Sequence, residues 1–231
     1  MKLGILITDT VIPELAEQFG QYPEMFARLL ALDPTLELVS FDVINGEYPA
    51  DIDDVGAYLI TGSKTSVYDD EDWIKPLISF VRKLDAAKKK LVGICFGHQI
   101  IAQALGGETT KSEEGWCVGV HKATLNEKAQ RFGDTGESFK LLSSHQDQVQ
   151  HLADGAEILA STANCPAAMT VLGNHILTFQ GHPEFDKEYA RQLLDMRREI
   201  LGELIYTTAI SSLQEETDHD LAARWIIDFI Q

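Results

Sequence analysis

The residues best suited to chemistry lie at 92 to 107, Val-Gly-Ile-Cys-Phe-Gly-His-Gln-Ile-Ile-Ala-Gln-Ala-Leu-Gly-Gly. This stretch reads as a buried strand running through a sharp turn into a helix, with Cys95 at the corner. Gly93 and Gly97 flank the cysteine at two-residue spacing, as in the strained strand-to-helix elbow that lifts a nucleophile above a sheet; glycine there removes the Cβ atoms that would block the turn. A thiol at that corner meets unpaired backbone N–H groups and the positive end of a helix dipole, which favour negative charge on sulfur. The five residues alone suit a buried cysteine packed at a strand end equally well. The balance is tipped by Ile176-Leu177-Thr178-Phe179-Gln180-Gly181-His182-Pro183-Glu184, a short apolar strand that delivers a histidine and a carboxylate two residues apart. Side chains at i and i+2 of an extended segment share a face, and Pro183 fixes its own φ and holds His182 extended. Cys95, His182 and Glu184 supply a nucleophile, a general base and a carboxylate to orient that base. The chemistry this set suits is acyl transfer through a thioester.

Four blocks carry a family resemblance. Gly93-Ile94-Cys95-Phe96-Gly97-His98-Gln99 resembles the Gly-x-Cys-x-Gly-x-Gln elbow of class I glutamine amidotransferases, the triad glutaminases, and Gln180-Gly181-His182-Pro183-Glu184 resembles their Gln-x-His-Pro-Glu strand. Leu59-Ile60-Thr61-Gly62-Ser63 is similar to the oxyanion strand, and Ser144-His145-Gln146-Asp147 to the Ser-His-Gly-Asp block of GMP synthetase glutaminases. Within the family the chain looks most like small stand-alone members such as the plant γ-glutamyl peptidases. The resemblance implies a doubly wound α/β fold, hydrolysis of a γ-glutamyl amide, Gly62 and Phe96 N–H groups as oxyanion donors, and Gln99, Ser144, His145 and Gln146 as substrate contacts. Gly62 also reads as a plain strand end. His98 reads as a helix-surface or packing residue, and His121, His151, His175 and His219 as surface or structural residues.

Two departures bear on the substrate. Gly181 stands where many members carry a bulky aromatic, and Thr61-Gly62-Ser63 where synthesis-coupled enzymes have Gly-Gly-Pro. A small residue beside His182 is expected to leave room for a leaving group larger than ammonia. Two rival readings are a glutaminase subunit active only with a separate synthetase, and a non-catalytic module that binds a γ-glutamyl compound.

The elements that must position these residues alternate. Strands are expected at Leu3 to Ile7, Leu36 to Val43, Ala57 to Ile60 and Leu91 to Ile94, with helices over Pro23 to Leu32 and Trp73 to Leu84. This pattern predicts a three-layer, doubly wound, mostly parallel sheet. Shorter segments, Cys117 to Leu125, Phe139 to Leu142, Glu157 to Ser161 and Ala167 to Phe179, predict antiparallel additions to the same sheet, with turns at Gly133-Asp134 and Gly173-Asn174. Leu221, Trp225 and Phe229 mark a closing amphipathic helix.

The 231 residues, 45% hydrophobic and 24% charged, fit one α/β domain over 1–231. A net charge of −17 argues against nucleic acid as a partner. Lys88-Lys89-Lys90 reads as a solvated helix end, and Asp69-Asp70-Glu71-Asp72 as charge matching at a helix start rather than a metal site. No apolar run reaches about eighteen residues, so no membrane partner is expected. The early polar loop after Ile7 argues against a signal peptide. Cys95, Cys117 and Cys165 have no metal-ligand spacing; Cys117 and Cys165 read as packing residues, and a reducing cytoplasm suits all three. No phosphate-binding loop or dinucleotide turn occurs, so neither cofactor nor metal is expected, and the expected partner is a small γ-glutamyl substrate.

Overall fold

The computed structural model describes residues 1–132 and 136–231. Its elements in chain order are β1 (Lys2–Ile7), α1 (Pro13–Phe19), α2 (Tyr22–Leu29), β2 (Glu37–Asp42), β3 (Ala57–Ile60), α3 (Ile74–Ala86), β4 (Lys90–Ile94), α4 (Phe96–Ala104), β5 (Glu108–Lys111) and β6 (Cys117–Leu125). There follow β7 (Ser138–His145), β8 (Asp147–His151), β9 (Ala156–Ser161), β10 (Met169–Leu172), β11 (Ile176–Phe179), α5 (Lys187–Leu201), α6 (Glu203–Ser212) and α7 (His219–Ile230). Nine strands form one sheet in the order β2-β1-β3-β4-β11-β10-β9-β6-β7. The half from β2 to β11 is parallel, and β10, β9, β6 and β7 continue it in antiparallel pairs.

Period-two alternation builds a core on each face of this sheet. Ala57 and Leu59 of β3, Val92 and Ile94 of β4, and Leu177 and Phe179 of β11 pack on one side with α1, α2, α5 and α7. Tyr58, Ile60, Leu91 and Ile176 pack on the other with α3 and α4. Every residue of β3 and β11 is buried, as strands covered on both faces require.

One expectation changes: the segment over Ala167 to Phe179 is a hairpin, β10 and β11, with the expected turn at Gly173 (φ 56°), but its second strand is not an antiparallel addition and pairs parallel with β4. Strands β5 and β8, which the sequence does not predict, pair with each other outside the main sheet. Pro13 opens α1, since proline is tolerated where a helix's first N–H groups have no partner. The expected turn at Gly133-Asp134 lies outside the described residues. Lys90 caps the end of α7, its Nζ donating to the Phe229 carbonyl at 2.5 Å.

Candidate active site

The parallel strands β3, β4 and β11 deliver Gly62, Cys95 and His182 to one edge of the sheet. Neither Gly93 nor Gly97 has a positive φ; Cys95 itself does, with φ 51° and ψ −100°. A non-glycine residue in that region stores roughly 1–3 kcal/mol of backbone strain and persists only where its surroundings hold it. The glycines hold it by close packing. A Cβ on Gly97 would lie 2.4 Å from the Ile60 carbonyl oxygen, and one on Gly93 2.6 Å from the Gly97 carbonyl oxygen. Glycine at both positions lets α4 dock against β3 and β4, which pushes Cys95 out at the corner. No side chain caps the start of α4. Among the described residues, neither the Phe96 nor the Gly62 N–H donates to a protein acceptor.

Gly62 is shaped by space rather than by torsion. A Cβ there would lie 3.0 Å from His182 Cε1 and 3.7 Å from Cys95 Cβ. Its flanking carbonyls are tied back to β1: Thr8 Oγ1 lies 3.0 Å from the Thr61 oxygen and 3.0 Å from the Gly62 oxygen, while Thr8 N–H donates to Thr61 Oγ1 at 3.0 Å. The Thr61 carbonyl also accepts from Gly97 N–H at 3.2 Å. One hydrogen-bonded knot thus joins the first strand, the glycine strand and the start of α4.

His182 is fixed on several sides. Its backbone N–H donates to the Leu142 carbonyl at 2.8 Å, its Nδ1 meets Glu184 Oε1 at 2.8 Å, and its ring stacks on Phe185 with centroids 4.0 Å apart and planes at 6°. His182 and Glu184 are both buried. Burial works against charge on the imidazole, but the Glu184 carboxylate and Cys95 outweigh it and raise its pKa to about 10. The ring therefore holds its second proton at neutral pH.

Gln99 sits on the first turn of α4 at the cleft, but both of its amide protons are used within the protein. Nε2 donates to the Asp147 carbonyl at 2.8 Å and to Gln180 Oε1 at 3.1 Å, and Gln180 Nε2 in turn points to Cys95 Sγ at 3.6 Å. Only the Gln99 oxygen remains for a ligand. Ser144, His145 and Gln146 all line the same cleft, of about 260 Å³, which opens on Cys95 and His182. Ser144 Oγ accepts from Arg197 at 2.7 Å. Burial pushes the His145 pKa down to about 3, so it is a neutral ring there, with Nδ1 against the Asp147 carbonyl at 3.1 Å. Asp147 takes Ser66 Oγ at 2.5 Å and Tyr68 OH at 2.9 Å, tying the loop after Gly62 across the cleft.

Gly181 does not face this cleft. A Cβ there would run into Leu141 Cβ at 3.1 Å and the Leu142 oxygen at 3.2 Å, so the room expected beside His182 is filled by β7. His98 is buried against Thr178 Oγ1 at 2.7 Å rather than on a helix surface, and burial lowers its pKa to about 3. Burial raises the thiols of Cys117 and Cys165 to about 11 and about 12. His175 joins Asp85 at 2.7 Å, remote from the cleft. No group of His, Cys, Asp and Glu suited to a metal, and no helix long and apolar enough to cross a membrane, occurs among the described residues. Sequence reasoning missed the far wall of the cleft, Trp116, Phe185, Tyr189, Leu193 and Arg197. The four-residue spacing of the last four was the available signal.

A parallel sheet with a strained cysteine corner, a buried His-carboxylate pair and a glycine strand beside both defines a class of protein, and comparison with known proteins agrees. Residues 22–196 match the family glutamine amidotransferase class-I, and the chain belongs to that family. It is 32% identical over 245 residues, 99% of this chain and 98% of the relative, to a glutamine amidotransferase-like protein of Schizosaccharomyces pombe. It is 33% identical over 204 residues to γ-glutamyl peptidase 4 of Arabidopsis thaliana, covering 84% of this chain and 80% of the relative. Its fold matches that of a glutamine amidotransferase from Thermotoga maritima with a TM-score of 0.76 at 13% identity, covering 100% of this chain and 96% of that one.

Proposed function

We propose that the protein hydrolyses a γ-glutamyl amide through a thioester on Cys95. The observation that carries this reading is the corner itself: Cys95 is held at φ 51° beside the buried His182–Glu184 pair, on an open cleft. Cys95 Sγ attacks the γ-carbonyl carbon, and the oxyanion that forms is taken by the otherwise unpartnered N–H groups of Phe96 and Gly62. The imidazolium of His182 gives its proton to the departing nitrogen, the C–N bond breaks, and the amine leaves a glutamyl thioester. His182 then accepts a proton from water, the hydroxide attacks the thioester, and glutamate departs as the thiolate re-forms. Glu184 orients the ring and stabilises its charged form. The names of the Arabidopsis relatives, γ-glutamyl peptidases, support a leaving group larger than ammonia.

The test is an assay of the isolated chain on glutamine, a γ-glutamyl anilide and a γ-glutamyl peptide, with Cys95→Ser as control. Turnover of at least one substrate, lost in Cys95→Ser with the fold retained, is the expected result. A Cys95→Ser rate near that of the parent would refute the nucleophile. Turnover appearing only when a synthetase is added would favour the ammonia-donating subunit.

A further inference from the structure

The cleft wall running away from His182 is one stripe of side chains. Phe185, Tyr189, Leu193 and Arg197 recur every fourth residue, so they share a face of α5 and the turn that leads into it. The stripe begins at the ring of His182, on which Phe185 stacks, and ends at Arg197, whose backbone lies about 12 Å along the axis from that of Tyr189.

That guanidinium has no acidic partner. Of the three arginines on α5, Arg191 pairs with Glu188 and Asp195, and Arg198 with Glu203, whereas Arg197 forms no salt bridge among the described residues. This is unusual in a chain with 36 acidic residues against 19 basic ones. Arg197 is nonetheless held in place: Nη1 donates to Ser144 Oγ at 2.7 Å, and the guanidinium lies over the Trp116 ring at 5.7 Å. The acids of the cleft are already satisfied. Asp9 takes the Thr10 and Lys64 N–H groups and Lys64 Nζ, and Asp147 takes Ser66 and Tyr68. The remaining donors of Arg197 are thus an unneutralised, oriented cation, the geometry that binds a carboxylate.

Its distance selects which carboxylate. Ser144 lies two residues along β7 from Leu142, whose carbonyl holds the His182 backbone. Two strand residues span roughly 7 Å, which, with the 2.7 Å and 2.8 Å hydrogen bonds at either end, places the guanidinium within roughly 12 Å of that backbone. Because His182 protonates the departing nitrogen, the wall that starts at its ring faces the leaving group. A departing dipeptide extends about 7 Å beyond that nitrogen.

Resting on the γ-glutamyl hydrolase reading, we infer that Arg197 binds the terminal carboxylate of the leaving group. The favoured substrates are therefore γ-glutamyl peptides with a free C-terminus rather than neutral γ-glutamyl amides. The test compares γ-glutamyl-alanyl-glycine with the same tripeptide bearing a C-terminal amide, in the parent, Arg197→Gln and Arg197→Lys. The parent is expected to prefer the free acid by about 10- to 100-fold in kcat/KM, the size of a hydrogen-bonded charge contact. That ratio should collapse toward one in Arg197→Gln and recover partly in Arg197→Lys. A parent ratio near one, or an equal loss on both peptides in Arg197→Gln, overturns the proposal. Calorimetric binding of both peptides to Cys95→Ala protein separates the two readings. A preference in binding with no turnover by the parent would sink the hydrolase reading alone; turnover with no preference would sink only the role of Arg197.

Discussion

Gly62→Ala is the substitution for which the structure sets the clearest magnitude. The added methyl would sit 3.0 Å from His182 Cε1, tighter than ordinary carbon contacts, so ring and methyl must separate by several tenths of an ångström. The ring has few ways to give. One face is stacked on Phe185 at 4.0 Å, Nδ1 is held by Glu184 at 2.8 Å and the backbone by Leu142 at 2.8 Å. Glycine is not required at 62 by its torsion, so the strain falls on the imidazole rather than on the main chain. A displacement of this kind between Cys95 and His182, the proposed nucleophile and base, where about 1 Å can cost 10²-fold, predicts a fall in kcat of roughly 10- to 100-fold. The accompanying loss of stability should stay within the ~1–3 kcal/mol typical of overpacking. Pre-steady-state hydrolysis of a γ-glutamyl anilide, with thermal unfolding alongside, reads both quantities. Adding Phe185→Leu should restore part of the rate by giving the ring somewhere to move. Full activity in Gly62→Ala, or a further loss without any rescue in the double variant, would refute this reasoning.

Gly97→Ala places a methyl 2.4 Å from the Ile60 oxygen and must push α4 off β3, so thermal unfolding should show a loss of about 3 kcal/mol or more; an unchanged melting temperature would contradict the packing account. Thr8→Val leaves the Thr61 and Gly62 carbonyls without their shared hydroxyl and should lower kcat more than it raises KM, and the reverse split would show that the knot does not set the glycine strand. Glu184→Gln should be milder than His182→Ala, the reverse ranking pointing to a different carboxylate. Because His182 is raised from 6.5 to about 10, the basic limb of the pH profile should lie near pH 10 in the parent and move down in Glu184→Gln, where burial is less opposed. For the same reason its contribution to stability is complete below pH 6.5 and is lost as pH rises toward 10, so denaturant titrations of Glu184→Gln should lack most of that loss.

How much of this was legible in the sequence depended on range. The strand-corner-helix passage at Cys95 is local, written by glycine spacing, and folded as read; His182 and Glu184 do meet, but through a turn at Pro183 and Glu184 after β11 has ended at Phe179, not along an extended segment. The parallel core was also legible for β1 to β4, short apolar runs between polar turns, whereas β11 reads as an antiparallel addition and instead lies parallel beside β4. Gly181 shows where local reading fails. A missing side chain reads as open space, yet the space the absent Cβ would enter is filled by β7, about forty residues away. Arg197 was missed for a related reason: the stripe from Phe185 looks like any packed helix face until Ser144 and Trp116, remote in sequence, meet it. The glycines at 93 and 97 serve as read, leaving out Cβ atoms that would block the corner and so admitting backbone contact, while the cysteine itself carries the unusual torsion.

The central claim is that Cys95 alone of the three cysteines carries the acyl group. Reaction with a glutamine-mimicking chloroketone followed by peptide mapping tests it directly, since Cys117 and Cys165 are buried thiols held at about 11 and about 12. The account predicts modification confined to Cys95, slowed by excess γ-glutamyl substrate and proportional to lost hydrolysis. Equal labelling of all three cysteines, or labelling of Cys95 that leaves hydrolysis intact, would contradict it.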